Sequence, residues 1–277
     1  MENFYIITNY TKDEDYEITM RIKACIEAHG KQCMLCEKGD YENMHADAIP
    51  KNIDCALVIG GDGTFIQASR KLYAREIPML GINMGTLGYL TEVEVQNVES
   101  AIDQLVEGNY TIENRMMLYG SVENRVRDVA MNDIVLTRSG SLKILHFKLY
   151  VNGQFLISYQ ADGLIISTPT GSTAYNLSAG GPIVEPTASL LVVTPICPHA
   201  LNSSSIILSD MDEVVIEIGA RREMWSDEAA LAFDGADIAQ LRTGDRVHIK
   251  KAWETAKIVK LSKISFIETL RDKMKGN

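Results

Sequence analysis

The sequence predicts a two-part fold: a doubly wound, parallel α/β layer over residues 1–112, followed by a mainly-β half over residues 113–257. Up to about residue 112, short apolar runs alternate with segments of helical periodicity. From about residue 113 the rhythm changes to short β-rich runs separated by turn signals. No Pro/Gly-rich linker marks the change, so the halves are expected to pack closely.

In chain order, Phe4–Thr8 is a short apolar strand. Asp15–His29 is a helix with apolar positions at Ile18, Ile22, Cys25 and Ile26, stopped by Gly30. Strands follow at Gln32–Cys36 and Cys55–Ile59, then a helix at Phe65–Ala74, a strand at Pro78–Ile82 and a helix at Val98–Glu107, ended by Gly108. In the second half Ile134–Thr137 reads as a strand. His146–Val151 and Gln154–Gln160 flank Asn152-Gly153, the pair that supplies the positive φ angles of a type I′ hairpin turn. Leu190–Thr194, Ser205–Leu208, Glu213–Ile218, Ala230–Phe233 and Arg246–Lys251 continue the β pattern, and Val259–Lys275 has room for a last strand and a short amphipathic helix.

Composition narrows the class. Hydrophobic residues are 46% and charged residues 23% of the chain, enough for a proper core. The formal charge of −10 argues against nucleic acid or an anionic membrane as partner. An anionic ligand must therefore be held locally, by loops, helix termini or a metal. The first residues lack the basic start and long apolar core of a signal peptide, and no apolar run reaches the length of a membrane span. A soluble, cytoplasmic protein is expected. Cys33 and Cys36 have C-x-x-C spacing but fall on a short strand with no second pair, so reduced thiols are expected. The histidines show no metal-ligand spacing, and no protein-held metal is expected.

The strongest chemical signal is Gly60-Gly61-Asp62-Gly63-Thr64, between a predicted strand and a predicted helix. Glycines let backbone N–H groups approach a ligand, and the helix start adds a positive dipole end, so the loop suits phosphate. Asp62 is the anomaly, since its charge repels phosphate; it suits a proton acceptor or a metal ligand. A tight turn with an acid near a helix cap is the competing reading. The loop matches neither the Walker A pattern nor G-x-G-x-x-G. A second cluster, Gly81–Leu90, sits at the carboxyl end of the next strand, and Asn83, Gly85 and Thr86 there are candidates to share a polyphosphate with Gly60, Gly61, Gly63 and Thr64. The third cluster runs from Asp162-Gly163 through Ser167–Pro182, and six Ser and Thr hydroxyls fall within Ser167–Ser178. That density suits ribose hydroxyls, phosphate oxygens and an amide, and Tyr175 can stack on a ring. An exposed Ser/Thr loop competes with this reading. Asn132-Asp133, before a strand, can hold a vicinal diol or form a turn. Asp234-Gly235 reads as a hairpin turn, and His199 as structural.

Gly60–Thr64, Gly81–Glu92, Asn132-Asp133, Asp162–Pro182 and Pro195–Leu201 resemble, in order and spacing, the conserved blocks of the NAD kinase family over nearly the whole chain. The resemblance implies an amino-terminal α/β domain, a sandwich-like β domain and a final segment, 258–277, that packs back on the first. It implies a homo-oligomer, a dimer or tetramer, with NAD and ATP as substrates and Mg²⁺ accompanying ATP. It assigns Asp62 as catalytic base with Gly63 beside it. Asn132, Asp133, Asp162, Thr173, Ala174, Tyr175, Asn176, Leu177 and Ser178 become NAD contacts, with Lys143 and Gln160 as weaker transfers. Two departures stand out: Asp133 replaces the family's usual Glu, and Ser204-Ser205 replaces a common Arg-Pro pair. A lipid kinase shares the GGDGT loop but needs an apolar groove, which the hydroxyl-rich block opposes. A dinucleotide sensor without chemistry is opposed by the intact Asp62.

Overall fold

A computed structural model of the chain describes all residues except 37–48, 86–87, 140–143, 200–203, 221–227, 263 and 276–277. It divides into one unit of Met1–Asn114 with Thr255–Asn277, and a second of Arg115–Glu254.

The first unit is built on a seven-stranded sheet. Its strands are β1 (Asn3–Thr8), β2 (Gln32–Leu35), β3 (Cys55–Gly60), β4 (Met79–Asn83), β5 (Val93–Glu94), β6 (Thr111–Arg115) and, from the far end of the chain, β19 (Ala256–Lys260). The order is β2-β1-β3-β4-β19-β6, with β5 beside β4. The pairs β1/β2, β1/β3, β3/β4, β4/β5 and β4/β19 are all parallel. Every residue of β3 is buried, as its unbroken apolar run requires of a central parallel strand. Ile6, Leu57, Ile59 and Ile82 share one core with Ile22 and Ile26 of helix Glu17–Ala28 and with Val98, Ile102 and Leu105 of helix Val98–Glu107. The doubly wound class is observed: β2 lies on one side of the first strand, β1, and β3 and β4 on the other. One boundary differs from expectation. The helix expected to start near Phe65 spans Asp62–Leu72, with Gly61 as its N-cap. An acid in the first turn complements the exposed N–H groups, which offsets the poor helix propensity of Asp-Gly-Thr.

The second unit has two antiparallel sheets of six strands each. One runs β11 (Gln154–Ala161), β10 (Leu145–Val151), β15 (Val214–Ile218), β18 (Arg246–Lys251), β7 (Leu118–Val122), β8 (Val126–Ala130). The other runs β14 (Ile206–Ser209), β13 (Leu190–Ile196), β12 (Gly163–Ser167), β9 (Asp133–Arg138), β16 (Glu228–Phe233), β17 (Ala236–Arg242). Phe147, Leu149, Ile216 and Ile249 of the first meet Ile134, Leu136, Leu164, Ile166 and Phe233 of the second in one core, so the sandwich-like expectation holds. The sheets touch closely at Gly120, where a Cβ would lie 2.7 Å from Ile134 and Phe233 side-chain atoms. Asn152 (φ 51°) and Gly153 (φ 77°) form the expected hairpin turn. Strand β12, read from sequence as part of a polar cluster, is wholly buried; its Leu-Ile-Ile run outweighs the hydroxyls that follow.

The tail after β19 ends in helix Phe266–Met274, opened by a capping box between Ser265 and Glu268. Within the first unit, the Phe266 ring stands 6.5 Å from that of Tyr89. Among the described residues no helix is long and apolar enough to cross a membrane.

Candidate functional site

Asp62 stands where β3 hands over to its helix. Its Oδ2 accepts the N–H of Tyr89 at 2.8 Å. Its Oδ1 accepts the N–H of Leu90 (3.2 Å), the N–H of Thr91 (3.1 Å) and the Thr91 hydroxyl (3.1 Å). The anomalous acid of the first glycine loop is therefore clasped by the second. Gly88 makes the clasp possible, because a Cβ there would overlap the Asp62 carboxylate. Hydrogen bonds to a charged acceptor contribute about 1.5–3 kcal/mol each, so the two loops form one rigid piece. The Met84 N–H adds a further tie, donating to the Gly60 carbonyl at 3.1 Å. Thr64 is buried and accepts from Asn9 Nδ2 at 3.1 Å. Asn83 closes its own loop, donating to the Gly85 carbonyl (2.8 Å) and accepting the Gly85 N–H (3.1 Å). Thr86 lies outside the described residues.

The second unit repeats the device. Asp234, in the β16–β17 turn at φ 49°, accepts the N–H of Met131 (2.8 Å) on Oδ2 and those of Asn132 (2.7 Å) and Asp133 (3.1 Å) on Oδ1. Its own N–H returns to the Asp133 carbonyl at 3.0 Å. Asn132, Asp133 and Asp234 line a cavity of about 390 Å³ together with Tyr175, Ala174 and Thr137. The Asp133 side chain is only 4% exposed. Burial, reinforced by the Asp234 charge, pushes its carboxyl up to about 7. At neutral pH this acid is poised between donor and acceptor.

The hydroxyl-rich block turns mostly inward. Ser167 donates to the Thr168 carbonyl (2.9 Å), and Thr168 to that of Met131 (2.6 Å) while accepting the Gly171 N–H (3.0 Å). Ser172 exchanges bonds with the Val184 backbone, Thr173 donates to Thr170, and Thr170 accepts from Arg115 at 3.3 Å. Of the six, Ser178 alone is exposed. Asn176 is fully buried: its amide donates to the Ser172 and Pro182 carbonyls and its oxygen accepts from Thr194. Its side chain is a strut for the turn. Gly171 lets that turn press on Asn132, whose backbone a Cβ would overlap.

The structure thus gathers Asn132, Asp133, Ala174 and Tyr175 at one cavity, with Tyr175 44% exposed and free to receive a ring. Thr173, Leu177 and Ser178 flank that stretch without lining the cavity. Asp162 lies elsewhere, 3.4 Å from Arg138 in an ion pair, and Gln160 is exposed on β11. Gly63 is exposed in the first turn of its helix, and Lys143 lies outside the described residues. Asp234 went unread as a site residue, because Asp-Gly between strands carries the same signal as any hairpin turn.

The ATP-NAD kinase N-terminal domain model matches residues 4–110, and the ATP-NAD kinase C-terminal domain model matches residues 131–261. An NAD kinase of Lachnospira eligens is 44% identical over 99% of this chain and 100% of its own length. An NAD kinase of Agathobacter rectalis is 46% identical over 100% of this chain and 99% of its own length. Among solved structures, a yeast NADH kinase complexed with NADH shares the fold at a TM-score of 0.87 and 23% identity, covering 100% of this chain and 88% of the other.

Proposed function

The chain belongs to the ATP-NAD kinase family, and from that premise we propose that it transfers the γ-phosphoryl group of ATP to the 2′-hydroxyl of the adenosine ribose of NAD. One observation carries the mechanism. Asp62 Oδ1 accepts three hydrogen bonds, whereas Oδ2 accepts one among the described residues, so Oδ2 keeps room for a substrate hydroxyl.

Phosphoryl transfer passes through a loose transition state, and the protein's work is alignment and charge neutralisation. The backbone at Gly60, Gly61, Gly63 and Thr64 and the start of helix Asp62–Leu72 hold the triphosphate, with Asn83 and Gly85 shaping the adjoining loop and Thr86 as a further phosphate contact. Mg²⁺ arrives with ATP as the nucleotide's own counter-ion, since this cation is commonly bound through substrate phosphates. The cavity at Asn132, Asp133, Ala174 and Tyr175 binds NAD, with Tyr175 stacking on a ring. Gly63, Gln160, Asp162, Thr173, Leu177, Ser178 and Lys143 are further NAD contacts, and Asn176 serves by shaping the turn. Asp62 Oδ2 takes the 2′-OH proton late, as the new P–O bond makes it acidic.

The working form is a cytoplasmic homo-oligomer, dimer or tetramer. Support for assembly comes from edge strand β11, where Phe155, Leu156 and Ile157 are 58%, 46% and 38% exposed. The decisive experiment incubates the protein with MgATP and NAD and reads NADP with an NADP-specific dehydrogenase. NADP formed in step with ADP is expected; a folded protein that leaves both substrates intact overturns the proposal.

A further inference from the structure

The P-loop that holds triphosphates brings its own lysine, and Gly60–Thr64 has none. With a formal charge of −10, the chain also presents an adverse field to a triphosphate. A protein cation beside this loop can come only from another segment.

Strands β1 and β3 are parallel neighbours, with Thr8 opposite Ile59, so the turns after them leave the sheet at the same edge. The order β2-β1-β3-β4 reverses direction between these two strands, which opens the crevice where doubly wound sheets take ligands. Asn9 fastens the two turns together. Its N–H donates to the Ile59 carbonyl at 2.9 Å and its Nδ2 to Thr64 Oγ1 at 3.1 Å. Its Oδ1 accepts the Thr11 N–H (3.1 Å) and hydroxyl (2.7 Å), and its carbonyl accepts the Lys12 N–H at 3.0 Å. The turn so fixed lays the Lys12 ammonium against the glycine loop: a Cβ on Gly61 would lie 3.3 Å from Lys12 Nζ.

The acid next to it does not neutralise this charge. Asp13 is buried and accepts the N–H groups of Ile18 (3.2 Å) and Thr19 (2.9 Å) and the Thr19 hydroxyl (2.6 Å). None of the ion pairs among the described residues uses Lys12.

The geometry points to Lys12 as the cation that holds the donor's triphosphate on the Gly60–Gly61 backbone, an assignment that rests on the kinase reading above. A flexible ammonium with three rotatable donors suits phosphate oxygens that change partners as the terminal group departs. Lys12 binds substrate and takes no proton.

The test uses the full chain with Lys12→Met and Lys12→Arg. Two readouts are taken: KM for ATP and for NAD, and calorimetric binding of inorganic tripolyphosphate. Lys12→Met is expected to raise KM for ATP and to weaken tripolyphosphate by roughly 10- to 100-fold. KM for NAD and the melting temperature stay as in wild type, and Lys12→Arg recovers most of the loss. Unchanged ATP and tripolyphosphate affinities in Lys12→Met overturn the assignment. The two failures are separable: a wild type that binds tripolyphosphate through Lys12 but makes no NADP refutes the kinase reading and not the cation.

Discussion

Asp62 in the α/β unit and Asp234 in the β-rich unit use one device. Each carboxylate collects three consecutive backbone N–H groups, from Tyr89–Thr91 in the first case and Met131–Asp133 in the second. They differ in which acid is left with chemistry to perform. Asp62 is clasped mainly through Oδ1 and keeps acceptor capacity on Oδ2, and in the proposed mechanism the clasped group is itself the reactive one. Asp234 divides its oxygens among its three amides in the same way, two on Oδ1 and one on Oδ2, but lays its charge on Asp133, which lines the cavity. The same local geometry orients the proposed base in one unit and tunes a neighbouring acid in the other.

The comparison breaks most sharply at Asp62. Asp62→Asn keeps an acceptor for the clasp but cannot take a proton, so turnover should fall by about 10²- to 10⁴-fold with NAD affinity preserved. Wild-type turnover in steady-state NADP assays of that variant would remove the distinction between the two acids.

The second test reads the neighbour that Asp234 perturbs. Asp133 titrates at about 7 in the folded chain, against an ordinary value near 4. Between those values the folded state holds a proton the unfolded state has released. Its contribution is therefore present in full below about pH 4 and is lost as pH rises to about 7, on the order of 4 kcal/mol across the window. Asp133→Asn should flatten that slope in denaturant titrations taken from pH 4 to 8, and Asp234→Asn should move the inflection to lower pH. An unchanged slope in Asp133→Asn denies the coupling.

The two glycines that admit the clasped turns sharpen the contrast. At Gly171 the obstructed atoms are the Asn132 backbone, so Gly171→Ala should cost about 3 kcal/mol of stability and lower the melting temperature. At Gly88 the obstructed atoms are the Asp62 side chain, which can swing aside. Gly88→Ala should then cost less stability than Gly171→Ala and lose roughly 10²-fold in turnover. Equal melting losses in the two variants would show that both clasps are merely structural. The smallest effect belongs to Tyr175, which is exposed: Tyr175→Ala should weaken NAD about tenfold by calorimetry and leave the melting temperature nearly unmoved.

These contrasts also mark how far the chain could be read before folding. The parallel layer and the β-rich half were legible because Cys55–Ile59 and Leu190–Thr194 are unbroken apolar runs and Asn152-Gly153 admits few conformations. Gly60–Thr64 stood out as a candidate site because three glycines around one acid have no structural economy. The hydroxyl block misled in degree: Ser and Thr serve backbone carbonyls as readily as ligands, and composition does not tell which. Strand β12 hid inside that block. Asp234, read as the hairpin turn it forms, and Lys12 could not be read as site residues, since each meets a segment distant in sequence and looks locally like an ordinary turn residue.

Strand β19 sits between β4 and β6, yet the whole second unit is translated before it. The first sheet consequently waits, with an open seam beside β4, while Arg115–Glu254 emerges from the ribosome. The part of the molecule that begins synthesis is the part that finishes folding, and quality control acting on a stalled nascent chain would meet an inserted β unit already closed beside an unsealed one.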